Sequence, residues 1–332
     1  MLTWLVIGVG DITSKRVLPA ILAEERSRLV GIVTRDPAKA APYAVPAFAT
    51  LAAALRESDA AAVYVASPVF LHAPQSIAAL QAGRHVLCEK PMAMNLAEAE
   101  RMVAAGRASG RAFGVAYYRR AYPKVHRAVE LIRQGAIGRP VLAWATCHGG
   151  LVPTDSERAW LLDPAKAGGG PLYDIASHRI DLLNFVFGEP VRAAGQLSNA
   201  VHALAVEDSA TVMIEYQNQV RAIVDVRWHS RIERDEFRII GTEGEMDLTP
   251  LNGPALVYPE GRESLPAHSN VHFPCVKNFV DAALDGAPLL SSGDTALWTD
   301  WVTAQAIASD RATIADKGDR RMPPGVHYRK QG

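Results

Sequence analysis

The sequence predicts an α/β protein in two parts. Residues 1–120 read as a doubly wound parallel sheet, and residues 121–332 as a second α/β unit around a sheet with one covered face. Three observations carry this reading. Short apolar segments rich in Val and Ile alternate with helical segments through the first part, a pattern that calls for parallel strands joined by right-handed crossovers. Two glycines, Gly8 and Gly10, follow the first apolar segment directly. Beyond residue 120 the strands lengthen and alternate apolar with polar residues, as in a sheet covered on one side. No Gly/Ser linker or internal repeat separates the halves. The boundary is a change of pattern, and a substrate cleft is expected between the two parts.

The elements follow in order. Strands are expected at 2–8, 29–34, 62–67, 85–89 and 112–116, each short and apolar as strands covered on both faces are. A helix over 72–82 has Pro74 in its first turn and Gly83 just past its end. A second, over 96–109, starts after Asn95, with Glu98 completing a capping box and Gly110 closing it. The second part opens with a helix at 123–134 and continues with strands at 141–148, 209–216, 220–228 and 237–244. Helices are expected at 173–187 and 294–309. In 220–228, Ala222, Val224, Val226 and Trp228 alternate with Arg221, Asp225 and Arg227, and Ile223 breaks the alternation.

Composition excludes several classes. The 332 residues carry 35 basic and 35 acidic side chains, a balance that argues against a nucleic-acid partner. The apolar start runs straight into the glycine turn without a basic leader, so it reads as a strand and not a signal peptide. No apolar run is long enough to span a membrane. Cys88, Cys147 and Cys275 are widely spaced, which predicts reduced thiols and a cytoplasmic protein. His268 and His272 are four apart in a stretch flanked by Pro266 and Pro274; this is not a helical metal motif, and no metal is expected.

The glycine turn is the first candidate site. A G-x-G at the first βα junction permits a tight turn and close approach of a pyrophosphate, which the following helix start favours through its N–H groups and dipole. Gly8, Gly10, Asp11 and Ile12 are the candidate contacts. Thr13 stands where the fingerprint prefers a small residue, and Asp11 must turn away from phosphate. The second strand ends in Thr34-Arg35, where an NAD site usually has an acid. Thr34 does not repel a 2′-phosphate, and Arg35 and Lys39 can bind one. NADP is therefore favoured over NAD.

The second candidate is Glu89-Lys90-Pro91. In a doubly wound sheet ligands bind at the C-terminal strand ends, so Lys90 lies on the cofactor side, with its backbone restricted by Pro91. Far along the chain, "AGGGPLYDIASHRIDLL" (167–183) places Asp174 and His178 four apart on an expected helical face.

These segments resemble the glucose–fructose oxidoreductase, inositol dehydrogenase and rhizopine-catabolism dehydrogenase family. The G-x-G turn, "VASPVFLH" (65–72), "EKP" (89–91), "AIGRP" (136–140), the 167–183 stretch and "GTEGEMDL" (241–248) carry the resemblance across nearly the whole chain. It implies an N-terminal Rossmann domain, a C-terminal α/β domain with a large, mostly antiparallel open-faced sheet, and a homodimer or homotetramer formed through that sheet. It also implies hydride transfer between NAD(P) and a hydroxyl-bearing carbon of a sugar, polyol or related diol. By matching positions, Lys90, Asp174 and His178 are the catalytic group, and the Lys90–Pro91 bond is cis. Ser67, Pro68 and His72 lie in the cofactor pocket, the last two along its nicotinamide side, and Glu89 either joins the cofactor contacts or pairs with a neighbouring base. Tyr118, Arg119 and Trp160 join Asp174 and His178 around substrate, with Tyr117, Tyr173 and Arg179 as further cleft candidates. Tyr118 and Leu161 depart from the family, which often has Asn and Arg there.

The proton acceptor is left open between Lys90 and His178. If Lys90 is the base, Asp174 is expected to orient His178 or a substrate hydroxyl and not to contact Lys90 closely, since a neighbouring carboxylate stabilises the ammonium. Two rival functions remain: a non-catalytic dinucleotide-binding regulator, which retention of Lys90, Asp174 and His178 argues against, and a methyltransferase, which the EKP segment and the second sheet do not suit.

Overall fold

The structure is a computed structural model and describes residues 1–151, 158–199 and 201–317. The first sheet comprises β1 (Leu2–Ile7), β2 (Ser27–Val33), β3 (Ala47–Phe48), β4 (Ala62–Val65), β5 (His85–Cys88) and β6 (Phe113–Val115). Its order is β3-β2-β1-β4-β5-β6, and every neighbouring pair is parallel. Four helices belong to the crossovers: α1 (Leu18–Ala23), α2 (Leu51–Glu57), α3 (His72–Gln81) and α4 (Leu96–Ser109). Both faces of β1 are covered. Leu5 and Ile7 join a core with Leu80, Met102 and Phe113, while Trp4 and Val6 join one with Leu18 and Ile21. This is why its sequence is apolar without alternation. Asn95 caps α4 by accepting from Glu98 N, and Gly110 ends it in the left-handed region.

The second half adds α5 (Pro123–Arg133), α6 (Pro164–Ala167), α7 (Ser177–Phe187) and an eight-stranded sheet. The strands are β7 (Pro140–His148), β8 (Pro190–Ser198), β9 (Ser209–Tyr216), β10 (Arg221–Arg227), β11 (Arg234–Gly241), β12 (Glu245–Asp247), β13 (Ala255–Tyr258) and β14 (Gly261–Ser264). They run in the order β14-β13-β12-β11-β7-β10-β9-β8, with β7 and β10 parallel and the other neighbours antiparallel. In β10, Ala222, Val224 and Val226 are buried together with Trp228 beyond the strand end. Ile223 faces the other way, in register with Trp144 of β7 and Met213 of β9, both exposed. The break in alternation thus belongs to an apolar row on the open face.

Three differences from the sequence reading have physical causes. The strand expected at 237–244 ends at Gly241, where the chain turns into β12. The helix expected over 173–187 begins as a π turn over Leu172–Ala176 and becomes α-helical only at Ser177. Finally, α8 (Phe273–Asp285) returns to the first sheet, its Phe279 ring 5.3 Å from that of Trp4. That helix was not among the elements expected from the sequence. The last helix, α9 (Gly293–Lys317), packs on both β8 and α4. No helix among the described residues is long and apolar enough to cross a membrane.

Candidate active site

A cavity of about 1090 Å³ runs along the C-terminal ends of the first-sheet strands, from Thr34 and Arg35 past the glycine turn to Lys90 and Asp174. Gly8 has φ +84, and a Cβ there would stand 2.7 Å from the Ala66 carbonyl oxygen, so only glycine fits. At Gly10 a Cβ would meet nothing within 4 Å, because the residue faces the cavity. The residues between the glycines and α1 are helical, so their first N–H groups open on the same space. Asp11 turns to Lys15 in an exposed ion pair, and Ile12 is half exposed over the cavity. Thr13 is buried in the helix packing. At the end of β2, the Thr34 hydroxyl accepts from Asp36 N at 3.1 Å, and Lys39 Nζ donates to the Val9 carbonyl at 3.1 Å. The turn, the helix start and the cations beyond β2 suit a dinucleotide with its pyrophosphate at Gly10.

Ser67, Pro68 and His72 follow β4 along the same cavity. His72 is buried, with Nε2 2.8 Å from the Ser67 carbonyl oxygen and Nδ1 2.9 Å from that of Pro91. Its nitrogens are committed to the protein, so His72 ties the loop after β4 to the Lys90–Pro91 turn and has no polar atom left for a cofactor. The Lys90–Pro91 bond is cis. Glu89 is also spoken for. Its carboxylate accepts from Tyr64 Oη at 2.8 Å and from Lys90 N at 3.2 Å, and lies 3.2 Å from His272 Nε2. Burial works to raise its pKa, but the bonds from His272 and Tyr64 and the Lys90 charge outweigh this and hold it below the usual carboxylate range. Glu89 lines the same cavity and is paired there with His272, a neighbouring base.

Lys90 Nζ donates to the Asp174 carbonyl oxygen at 2.8 Å and to Asp174 Oδ1 at 3.1 Å. The expectation that Asp174 stands off from Lys90 is overturned. The π turn displaces Asp174 from the α-helical position assumed beside His178 and turns both its oxygens to the lysine. Burial opposes ionisation of Asp174, yet the Lys90 charge and hydrogen bond bring its pKa below the ordinary value. His178 lies in the first turn of α7 and is buried. Burial first, then the charges of Arg119, Lys90 and Arg179, push its pKa well below that of a free histidine, so it is neutral at pH 7. Its Nδ1 is enclosed without a partner, which leaves Nε2 as the nitrogen available to a ligand.

The structure brings Lys90, Asp174 and Trp160 to one end of the cavity. Tyr118 packs edge-on to His178 at 5.2 Å between ring centroids and against His272 at 4.7 Å. Arg119 is held by the protein. Its Nε and Nη2 both donate to Asn252 Oδ1, at 3.2 and 3.1 Å, and Nη1 is enclosed, so it supports Tyr118 from behind and is not open to substrate. Arg179 is likewise held, by Asp235 at 2.9 Å. Sequence reasoning missed Tyr64, Asn252 and the role of His272. His272 was visible only as one of two histidines four apart in a stretch flanked by prolines.

The depressed pKa of His178 makes stability depend on pH. Below pH 6.5 the unfolded chain takes up a proton that the folded site refuses. This contribution is therefore complete above about pH 6.5 and is lost as pH falls, at up to about 1.4 kcal/mol per unit. In urea titrations between pH 7.5 and 5, wild type should lose stability more steeply than His178→Asn by about that slope. Parallel curves would refute it.

A parallel sheet with a glycine turn at its switch point, opening on a cavity that ends at a lysine–carboxylate pair, defines a dinucleotide-dependent dehydrogenase or reductase. Comparisons with known proteins agree. A family model for an oxidoreductase family with an NAD-binding Rossmann fold matches residues 2–117, and a GFO/IDH/MocA C-terminal domain matches residues 125–247. The chain is 29% identical over 333 residues to a 1,5-anhydro-D-fructose reductase from Ensifer adhaerens, covering 95% of this chain and 99% of the relative. It is 28% identical to a D-xylose 1-dehydrogenase [NADP(+)] from Haloarcula marismortui, over 74% of this chain and 71% of that one. Among solved structures, an aldose–aldose oxidoreductase from Caulobacter crescentus complexed with glycerol superposes with a TM-score of 0.84 at 25% identity, covering 94% of this chain and 98% of that one. The chain belongs to the GFO/IDH/MocA oxidoreductase family and is an NAD(P)-dependent oxidoreductase acting on CH–OH groups.

Proposed function

We propose that the protein transfers a hydride between NADP(H), its preferred cofactor, and a hydroxyl-bearing carbon of a sugar, polyol or related diol, and that in the reducing direction Lys90 supplies the proton to the carbonyl oxygen. The observation that carries this is the Lys90–Asp174 contact at the cavity's end. The Lys90 charge and hydrogen bond hold the Asp174 pKa below its ordinary value, and the lysine nitrogen so held is the proton donor in this reading. A bound reduced nicotinamide supplies the hydride. Lys90 gives its proton to the carbonyl oxygen as the carbon is reduced, and is reprotonated from solvent afterwards; oxidation is the same sequence reversed. His178 stays neutral. Leaving an N–H enclosed at Nδ1 costs more than leaving a lone pair there, so its proton sits on Nε2 and donates to the same oxygen. The two donors polarise the carbonyl together. The test is NADPH oxidation with a panel of keto- and aldo-sugars, including 1,5-anhydro-D-fructose. Cofactor binding without consumption across the panel would favour a regulator and sink the enzymatic reading.

The NADP preference rests on Arg35 and Lys39 at the end of β2, where Asp36 is occupied capping Ala38 N. Arg35→Ala should raise KM for NADPH by about 10-fold and leave that for NADH within roughly twofold, the loss of one charged phosphate contact. Equal changes for both cofactors would contradict it.

Assembly is proposed through the open sheet face, as a homodimer or homotetramer. Ala194, Met213, Ile223 and Trp144 stand in register across four strands, with Arg238 continuing the row. An exposed tryptophan and methionine on either side of Ile223 mark a surface that association would cover. Trp144→Asp with Met213→Asp should convert the oligomer to monomer in light scattering, and a monomeric wild type would end the proposal. Three free thiols support a cytoplasmic setting.

A further inference from the structure

We propose that Lys166, from the second half of the chain, is the cation that faces the dinucleotide pyrophosphate across the cavity. The inference rests on the reading of this cavity as the NAD(P) site. Strand order puts the switch point between β1 and β4, and the pyrophosphate of a dinucleotide lies there, against the helix start after β1. On that side the groups offered are backbone N–H donors. The charged side chains beside them, Asp11 and Lys15, neutralise each other. Arg35 serves the far end, beyond β2, and Lys90 at the other end is committed to Asp174. Lys39 reaches the glycine turn, but its Nζ is held by the Val9 carbonyl oxygen at 3.1 Å, so two negative charges at the centre leave a place for a second cation from the opposite wall.

The opposite wall comes from the second half. A 3-10 turn (Ala159–Leu162) leads into α6, which packs on the turn Val69–Leu71 that follows β4. This contact places α6 at the switch point and over the same cavity that Gly8 and Gly10 line, and Lys166 is part of that lining. Its present partner is Asp163 at 2.8 Å, an i,i+3 pair in which both side chains are well exposed. Such a pair is worth little. Asp163 also caps α6 by accepting from Ala165 N at 3.0 Å, so it stays in place when the lysine leaves. The ammonium can therefore turn to a phosphate oxygen without leaving a buried charge behind. Because α6 leads through Gly168–Gly170 directly to Asp174, cofactor held by Lys166 also ties the two halves together at the catalytic carboxylate.

The test measures binding without turnover. Dissociation constants for NADPH and for 2′-AMP, which lacks both phosphates of the pyrophosphate, are compared in wild type and Lys166→Met by calorimetry. NADPH should bind about 10-fold more weakly to the variant, the scale of one charge-assisted contact, while 2′-AMP changes by less than roughly twofold. The NADPH difference should shrink with added salt as the Coulombic contact is screened. Unchanged NADPH affinity, or equal weakening of both ligands, overturns the assignment of Lys166. Failure of the wild type to bind either ligand would instead overturn the cofactor reading on which it rests.

Discussion

Lys90→Met is expected to lower kcat by about 100-fold or more, the scale of a lost acid–base group, with NADPH affinity nearly unchanged. Lys90 is held at its amine end by the Asp174 carbonyl and carboxylate oxygens, at 2.8 and 3.1 Å. Methionine keeps the length and apolar stem of the side chain but removes the proton. The proposed role acts as the carbonyl oxygen gains negative charge, so the loss should fall on kcat and kcat/KM together and leave KM comparatively unmoved. Lys90→Arg is the sharper control. It preserves the charge beside Asp174, but a guanidinium gives up its proton far less readily than an ammonium. Arginine should therefore rescue substrate binding and not turnover. A kcat within a few fold of wild type in the methionine variant would remove Lys90 from the chemistry, and rescue of turnover by arginine would reduce its role to electrostatics.

The chemistry-bearing positions were legible because each depends on local pattern. Gly8 is forced by a positive φ and a 2.7 Å approach that any Cβ would make to Ala66, and its place after the first strand is visible in sequence. The same is true of Lys90 at a strand exit and of the EKP and Asp-x-x-x-His elements that carry the family resemblance. The side-chain contacts around these positions were not legible, because they close over long separations. Glu89 meets His272 across 183 positions, and Arg119 meets Asn252 across 133. Nothing in composition or spacing marks such pairs, so the sequence does not show which base Glu89 meets. The position of Asp174 fails for a different reason. Four-residue spacing places two side chains together on an α-helix, whereas the π turn at Leu172–Ala176 changes the angle per residue and delivers the carboxylate to Lys90. An isolated stretch of sequence does not distinguish the two winding patterns. The helix α8 was not among the expected elements, and its contact with Trp4 spans the length of the chain.

The largest expected loss of stability comes from Arg120, which lies two residues from Tyr118 and is 2% exposed. Its Nε and Nη2 donate to the two oxygens of Asp181 at 2.9 and 2.6 Å, and Nη1 donates to the Leu290 carbonyl and the Thr295 hydroxyl at 3.1 and 2.9 Å. One side chain thus fastens the turn bearing Tyr118 to α7, which carries His178, and to the start of α9. Arg120→Met leaves the Asp181 carboxylate enclosed at 1% exposure with its cationic partner gone. Breaking a buried pair by removing one member costs about 3–5 kcal/mol, a large part of the stability of a typical domain. The double change Arg120→Met with Asp181→Leu should recover much of that, since a matched apolar pair needs no counter-charge. Its activity should stay depressed, because the fork that sets α7 against the Tyr118 turn is lost in both variants. Urea unfolding of the two proteins separates the effects. A single-variant loss below about 1 kcal/mol, the range of an exposed pair, would mean that water reaches Asp181. A double variant no more stable than the single one would mean that the geometry of the fork, and not its charge, holds α7 in place.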